Sequence, residues 1–185
     1  MRGCREAWEH MTEISMEAPV RNFSQELDMT DYVVETELFP LDVLDAYSAW
    51  NLERELTDGQ RRHFNVERGG GQGDYREGMA AKIANVVDCL NRFRESKRAV
   101  IPISNFPDAS HEDDDTAKCM REIHFNLDDG KLNGSVLFRA QAASIFPKNI
   151  HFIGSLMDEV AAKLDTAPPV GSLHYLTTIL VGDRS

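Results

Sequence analysis

Residues 119–139 read Cys119-Met-Arg-Glu-Ile-His-Phe-Asn-Leu-Asp-Asp-Gly-Lys-Leu-Asn-Gly-Ser-Val-Leu-Phe-Arg139. The first part, Cys119–Leu127, spaces its apolar side chains as a strand does, and Lys131–Arg139 does so again. Between them Asp128-Asp129-Gly130 is a hairpin signal, because a tight turn needs residues that accept positive φ. The stretch therefore predicts an antiparallel pair.

Further out, Met79–Phe93 carries Met79, Ile83, Val86, Val87, Leu90 and Phe93 at helical spacing, and Asn149–Leu164 carries Ile150, Ile153, Leu156, Met157, Val160 and Leu164. Ala99–Ile103 and Leu173–Val181 read as strands. Nearer the N-terminus the pattern predicts a helix over Glu6–Glu17, a strand over Asp31–Phe39 and a helix over Val43–Leu56. Arg68–Gly73 is a glycine-rich loop, and His111–Asp115 is an acidic run expected to be solvated. Helices interspersed around a central hairpin indicate an α+β fold rather than a doubly wound sheet.

The chain has 185 residues, which suits one domain. Its formal net charge of -11 argues against sequence-independent binding to a nucleic acid polymer, which requires a basic face. A small anion stays compatible with that charge, because a few placed arginines dominate locally. Three cysteines at irregular spacing, Cys4, Cys89 and Cys119, suggest no disulfide framework and no zinc ribbon. Met1–Met16 has charged residues throughout and no apolar core of a signal peptide, and no apolar run approaches membrane-spanning length. A cytoplasmic protein with no membrane contact is the expectation, and no metal is called for.

Cys119 has Lys118 before it and Arg121 two positions after it, and neighbouring cations stabilise a thiolate, the nucleophilic form. Taken locally, a buried structural cysteine is the more common situation. Arg139 at a strand end either binds an anion or forms a surface ion pair. His124 and His151 read as structural histidines. The Gly69–Gly73 run lacks the lysine and hydroxyl residue of a phosphate-binding loop. The acidic run lacks the spaced ligands of a calcium loop.

The order of these segments adds a resemblance. Ser96-Lys97-Arg98-Ala-Val-Ile101, then Asn105, Cys119, an Asp129-Gly-Lys-Leu132 hairpin, a strand ending in Arg139, Pro147 and Asn149, an amphipathic helix and Gly171-Ser-Leu-His174 follow one another. This succession resembles the C-terminal half of thymidylate synthases and pyrimidine-nucleotide hydroxymethylases. Ala7-Trp8, Pro19-Val-Arg21 and Ser24-Gln-Glu-Leu27 resemble the opening of the archaeal and hydroxymethylase-like branches.

The resemblance implies a mixed sheet with flanking helices, in a chain shortened between about residues 40 and 79. It also implies transfer of a methyl or hydroxymethyl group to C5 of a pyrimidine nucleotide, after addition of a cysteine thiolate at C6. Cys119 would be the nucleophile. Arg139 and Arg21 would hold the phosphate of a nucleoside monophosphate. Lys97 and Arg98 would reach the phosphate site of a neighbouring copy in a homodimer. Asn149 would read the pyrimidine edge, and His174 would lie near the sugar. The implied one-carbon donor is 5,10-methylenetetrahydrofolate.

Several positions depart from that pattern. Arg139-Ala140-Gln141-Ala142 stands where the family has Arg-Ser-x-Asp, and the missing carboxylate is a folate contact. Met120 replaces a histidine, Gln72-Gly73 replaces Tyr-Gly, and Tyr175 is displaced by one position. Glu53 and Glu55 are the nearest candidates for a catalytic glutamate. Two alternatives follow from these losses: a folate-independent enzyme that adds a thiol in a specialised biosynthetic pathway, and a non-catalytic nucleotide-binding dimer.

Overall fold

The computed structural model describes residues 1–65, 67, 68, 74–103 and 118–183. Among them a mixed sheet and several helices make an α+β protein. The expected hairpin forms as β4 (Met120–Asp128) and β5 (Lys131–Phe138), paired antiparallel with Asp128 opposite Lys131. Asp129 and Gly130 at its tip have φ of 49° and 72°, the left-handed pair that a two-residue turn between twisted strands demands. Ahead of it come α4 (Met79–Arg92) and the short β3 (Val100–Pro102), which pairs antiparallel with β4.

The sheet is completed from the two ends of the sequence. β1 (Arg2–Gly3) pairs parallel with β2 (Val20–Asp28), and β2 pairs antiparallel with β7 (Val170–Val181). β7 then runs parallel to β5, which gives the order β1-β2-β7-β5-β4-β3. A two-residue β6 (Gln141–Ala142) continues along the edge of β7 beyond β5: Phe138 lies opposite Thr177 and Gln141 opposite Leu180. The ladder on that edge is interrupted at Arg139 and Ala140.

One face of the sheet carries α1 (Cys4–Ser15), α4 and the central α5 (Phe146–Lys163), with α2 (Leu41–Asn51) packed outside α5 and the one-turn α3 (Asp58–Arg61) beside α2. The amphipathic stripe expected over Asn149–Leu164 describes only the C-terminal half of α5. Residues 146–154 are buried all round, Lys148, Asn149 and His151 included, because α2 and the sheet enclose this end from both sides. Phe138, Phe146, Phe152 and Tyr175 are fully buried at this junction. Each such side chain contributes about 1.5–3 kcal/mol on leaving water. Among the described residues no helix lies over the other face: Ser24, Glu26, His124, Asn126, Ser135 and His174 are exposed along it.

Two readings of the sequence are corrected. Asp31–Phe39 is not a strand. Val34 and Phe39 are buried, but the backbone of Thr36 and Phe39 closes on itself through two hydrogen bonds of 3.1 Å, so no ladder forms. Its alternation reflects one-sided packing of an irregular segment. The second helix runs over Leu41–Asn51 rather than Val43–Leu56, because Glu53 takes φ of 59° and turns the chain away. Strand β2 carried no strand signal in its sequence. Asn105, the glycines at 69–73 with Gln72, and the acidic run 111–115 lie outside the described residues.

Candidate functional site

The end of the hairpin away from its turn gathers the principal candidates. The N–H of Arg139 donates to the carbonyl of Cys119 at 2.8 Å, so these residues continue the β4–β5 ladder one step past its last assigned pair. Thr178 Oγ1 donates to the Arg139 carbonyl, which ties the interruption between β5 and β6 to β7. Arg21 on β2 lies opposite Ile179, at this same end of the sheet, and is exposed. Four adjacent strands thus bring Arg21, Thr178, Arg139 and Cys119 into one row.

Cys119 is a free cysteine, half-buried against the core. Three buried tyrosines lie within electrostatic reach of its sulfur. Burial raises the Tyr175 phenol well above its ordinary value, and Cys119 raises it further. Tyr75 is raised in the same way, by burial first and then by Tyr47 and Cys119. Burial likewise holds Tyr47 up, with Asp74 adding to the effect and Cys119 contributing less. All three therefore stay protonated. The N–H of Met120 donates to Tyr75 Oη at 3.3 Å, so this phenol is fixed one residue from Cys119.

Local sequence explains how the tyrosines are held. Asn51 at the end of α2 is fully buried; its Nδ2 donates to the Tyr47 carbonyl at 3.0 Å and its Oδ1 accepts from the Tyr75 N–H at 2.7 Å. Tyr75 stacks on Phe152 with centroids 5.7 Å apart, and Tyr175 stacks on Phe138 at 5.1 Å with Phe146 edge-on at 5.4 Å. Lys148, buried in α5, places Nζ 4.6 Å from the Tyr47 ring and donates to the Arg68 carbonyl at 2.9 Å.

Asn149 connects to the row through a buried amide network. Tyr175 Oη donates to Gln141 Oε1 at 2.6 Å, and Asn149 Nδ2 donates to the same oxygen at 2.9 Å. Gln141 Nε2 donates to the Ala142 carbonyl at 2.6 Å. Asn149 Oδ1 is buried and has no hydrogen-bond partner among the described residues. A buried carbonyl oxygen without a donor costs about 1–3 kcal/mol, and Arg2 Nη1 and Trp8 Nε1 share that condition among the described residues.

The remaining expected residues lie elsewhere. His174 is level with Ser135, four positions from Thr178 and hence about 13 Å along the strand, on the uncovered face, with Nε2 3.1 Å from Ser24 Oγ. Lys97 and Arg98 are exposed just before β3. Because β3 is antiparallel to β4, they sit at the end of the sheet opposite Cys119. Glu53 is a helix cap: its Oε1 accepts from the Gly78 N–H at 3.0 Å and its Oε2 from the Ala80 N–H at 2.8 Å. Gln141, Tyr47 and Tyr75 had no signal in the sequence beyond being polar residues amid apolar ones.

Ala142, where the resemblance would need a carboxylate for folate, is buried, and its carbonyl is taken by Gln141. The residues at this position do not fit that contact. Among the described residues no group of three or more His, Cys, Asp or Glu is gathered as a metal site would require, and no helix is long and apolar enough to cross a membrane. No known protein-family model matches the chain, and no curated protein matches it.

Proposed function

We propose that this protein has a thymidylate synthase-like fold and binds a pyrimidine nucleoside monophosphate at the sheet end that carries Cys119. There it activates C5 of the ring by adding the Cys119 thiolate to C6. The observation that carries the reading is the joining of Cys119 and Arg139 by a backbone hydrogen bond, with the orphaned Asn149 oxygen linked to the same row through Gln141 and Tyr175. A nucleophile, an anion-binding cation and a polar reader for the base edge are the three elements that such chemistry needs.

In the proposed reaction Arg139 and Arg21 engage the phosphate and set the distance of the base from the thiol. The sulfur attacks C6, and the electron pair displaced from the C5–C6 bond makes C5 nucleophilic toward an electrophile. The Tyr75 phenol accepts from the Met120 N–H, which leaves its own proton to stabilise negative charge on the sulfur. The resemblance implies that the electrophile is a one-carbon unit, giving methyl or hydroxymethyl transfer; C5 then loses its proton to solvent and the C6–S bond breaks, which restores the C5–C6 double bond and the free thiolate. Ala142 favours a second reading, in which the thiol addition is kept and no folate is used.

The uncovered sheet face supports a homodimer. Lys97 and Arg98, remote from Cys119 within one chain, then serve the other copy's phosphate site.

The test is release of tritium from C5-labelled uridine, deoxyuridine, cytidine and deoxycytidine monophosphates, with and without 5,10-methylenetetrahydrofolate. Release that disappears in Cys119→Ala supports the reading, and release without folate selects the folate-free version. Absence of release from all four, or release unchanged by Cys119→Ala, overturns it.

A further inference from the structure

The peptide between Cys119 and Met120 is held from both sides. Its carbonyl accepts from the Arg139 N–H at 2.8 Å, and its N–H donates to Tyr75 Oη at 3.3 Å. The β4–β5 register shifts between Met120 and Glu122, and the phenol supplies a partner for an N–H at that irregularity. Tyr75 is in turn fixed by a side chain from another element. Asn51, the last residue of α2, is fully buried, and its Oδ1 accepts from the Tyr75 N–H at 2.7 Å. The amide has one orientation open to it, because the Tyr75 N–H can only donate and the Tyr47 carbonyl, 3.0 Å from Nδ2, can only accept. Stacking on Phe152, with the ring planes 20° apart, sets the tilt of the Tyr75 ring. Stacked rings tolerate sliding, and the bond to Asn51 opposes it.

We infer that Asn51 is a positioning residue for Cys119, acting from α2 through Tyr75 on the peptide that carries the thiol. The inference rests on the reading of Cys119 as the nucleophile. Asn51 touches no reacting atom. Without its oxygen the Tyr75 backbone shifts, the phenol leaves the Met120 N–H, and the phenol proton proposed to stabilise the sulfur moves with it.

The experiment follows two quantities in the full chain: the rate of Cys119 alkylation by iodoacetamide at neutral pH, by peptide mass mapping, and hydrogen exchange of the Met120 amide, by NMR. In Asn51→Ser the hydroxyl bonds back to the Tyr47 carbonyl, so the end of α2 is kept, but it is too short to reach the Tyr75 N–H. Exchange at Met120 should speed up, and alkylation should slow by about threefold to tenfold, as for one lost hydrogen bond. Tyr75→Phe keeps the stacked ring and loses the phenol, and both effects should recur. The double variant should be no slower than Tyr75→Phe alone, since the two residues act along one path. Asn51→Asp, protonated in this buried setting, keeps a carbonyl oxygen for Tyr75 and donates to Tyr47, so it should restore the wild-type rate.

Alkylation that is unchanged or faster in Asn51→Ser overturns the inference, and so does a double variant slowed by the product of the two single effects. Should the Asn51 variants not fold, Tyr75→Phe decides alone: an unchanged Met120 amide or an unchanged thiol breaks the path. The nucleophile reading fails separately, through C5 tritium release that Cys119→Ala leaves unchanged, whatever the Asn51 variants do.

Discussion

The peptide N–H of Arg139 is bonded to the carbonyl oxygen of Cys119 at 2.8 Å, so the distance between these residues is fixed by the sheet and not by their side chains. Hydrogen-bonded partners across an antiparallel pair have Cα atoms about 5.5 Å apart. The strands thus hold the two backbone positions side by side. On the proposed reading, Arg139→Ala weakens binding of a nucleoside monophosphate by about 1.5–3 kcal/mol, the range for hydrogen bonds to charged groups. Arg139→Lys should fall between, since it keeps the charge but loses the bidentate fork. Calorimetric titration checks both, and an affinity unchanged in the alanine variant would remove Arg139 from the site.

Glu53 was the nearest candidate for a catalytic glutamate, and its position assigns it different work. Both carboxylate oxygens accept from backbone N–H groups at the start of α4. Glu53→Ala should cost about 0.5–2 kcal/mol of stability, as the loss of a helix N-cap does. Glu53→Gln should cost less, because one acceptor oxygen survives. Urea denaturation reads the stability, and tritium release per folded molecule should be the same in both variants. A large selective loss of release would return Glu53 to the catalytic machinery.

Gly154 in α5 lies against the ring of Tyr32, so that a Cβ there would overlap the aromatic carbons. Tyr32 is anchored at its far end by a 2.7 Å hydrogen bond to Asp158, which limits its retreat. Gly154→Ala should destabilise by about 1–3 kcal/mol, despite the better helix propensity of alanine. The double variant Gly154→Ala, Tyr32→Ala should regain part of that loss. Thermal unfolding of the pair of variants distinguishes this overlap from a general intolerance of α5.

His151 provides a pH dependence. Burial lowers its pKa below the ordinary 6.5, although Asp45 and a bond to the Leu44 carbonyl act the other way. Its Nδ1 lies 2.7 Å from Ser48 Oγ, its Nε2 lies 3.6 Å from Asp45, and the Tyr32 ring meets it edge-on at 5.4 Å. The unfolded chain takes up this proton more readily than the folded one. Stability from the neutral ring is thus complete above the unfolded value and declines as the pH falls below it, toward the depressed folded value. The unfolding midpoint should drop between about pH 7.5 and about pH 5.5, and His151→Gln should flatten that part of the profile. A profile identical in the variant would show that the ring does not carry this effect.

The hairpin and helix α4 were legible because their signals are local: a turn that needs positive φ, and one apolar face on a helix. Strand β2 was not, since Val20–Asp28 buries only Phe23 and Leu27, and Asn22 interrupts it with φ of 53°. Pairing with β7 makes it a strand, and its own composition does not. Cys119 and Arg139 were readable as a pair because the hairpin register brings them together. Gln141 was not, because its role depends on Tyr175 and Asn149, whose proximity exists only once α5 and β7 have packed.

The position of β7 in the middle of the sheet has a consequence for assembly. Its two principal neighbours, β2 and β5, are separated by more than a hundred residues, and neither pairs with the other. During synthesis both stand as open edges until residues 170–181 emerge between them. The β4–β5 hairpin can form early, but the row that carries Arg21 and Thr178 beside Arg139 cannot. The site is therefore among the last features to be built, and a nascent chain stalled before Val170 exposes two strand edges that invite association with other chains.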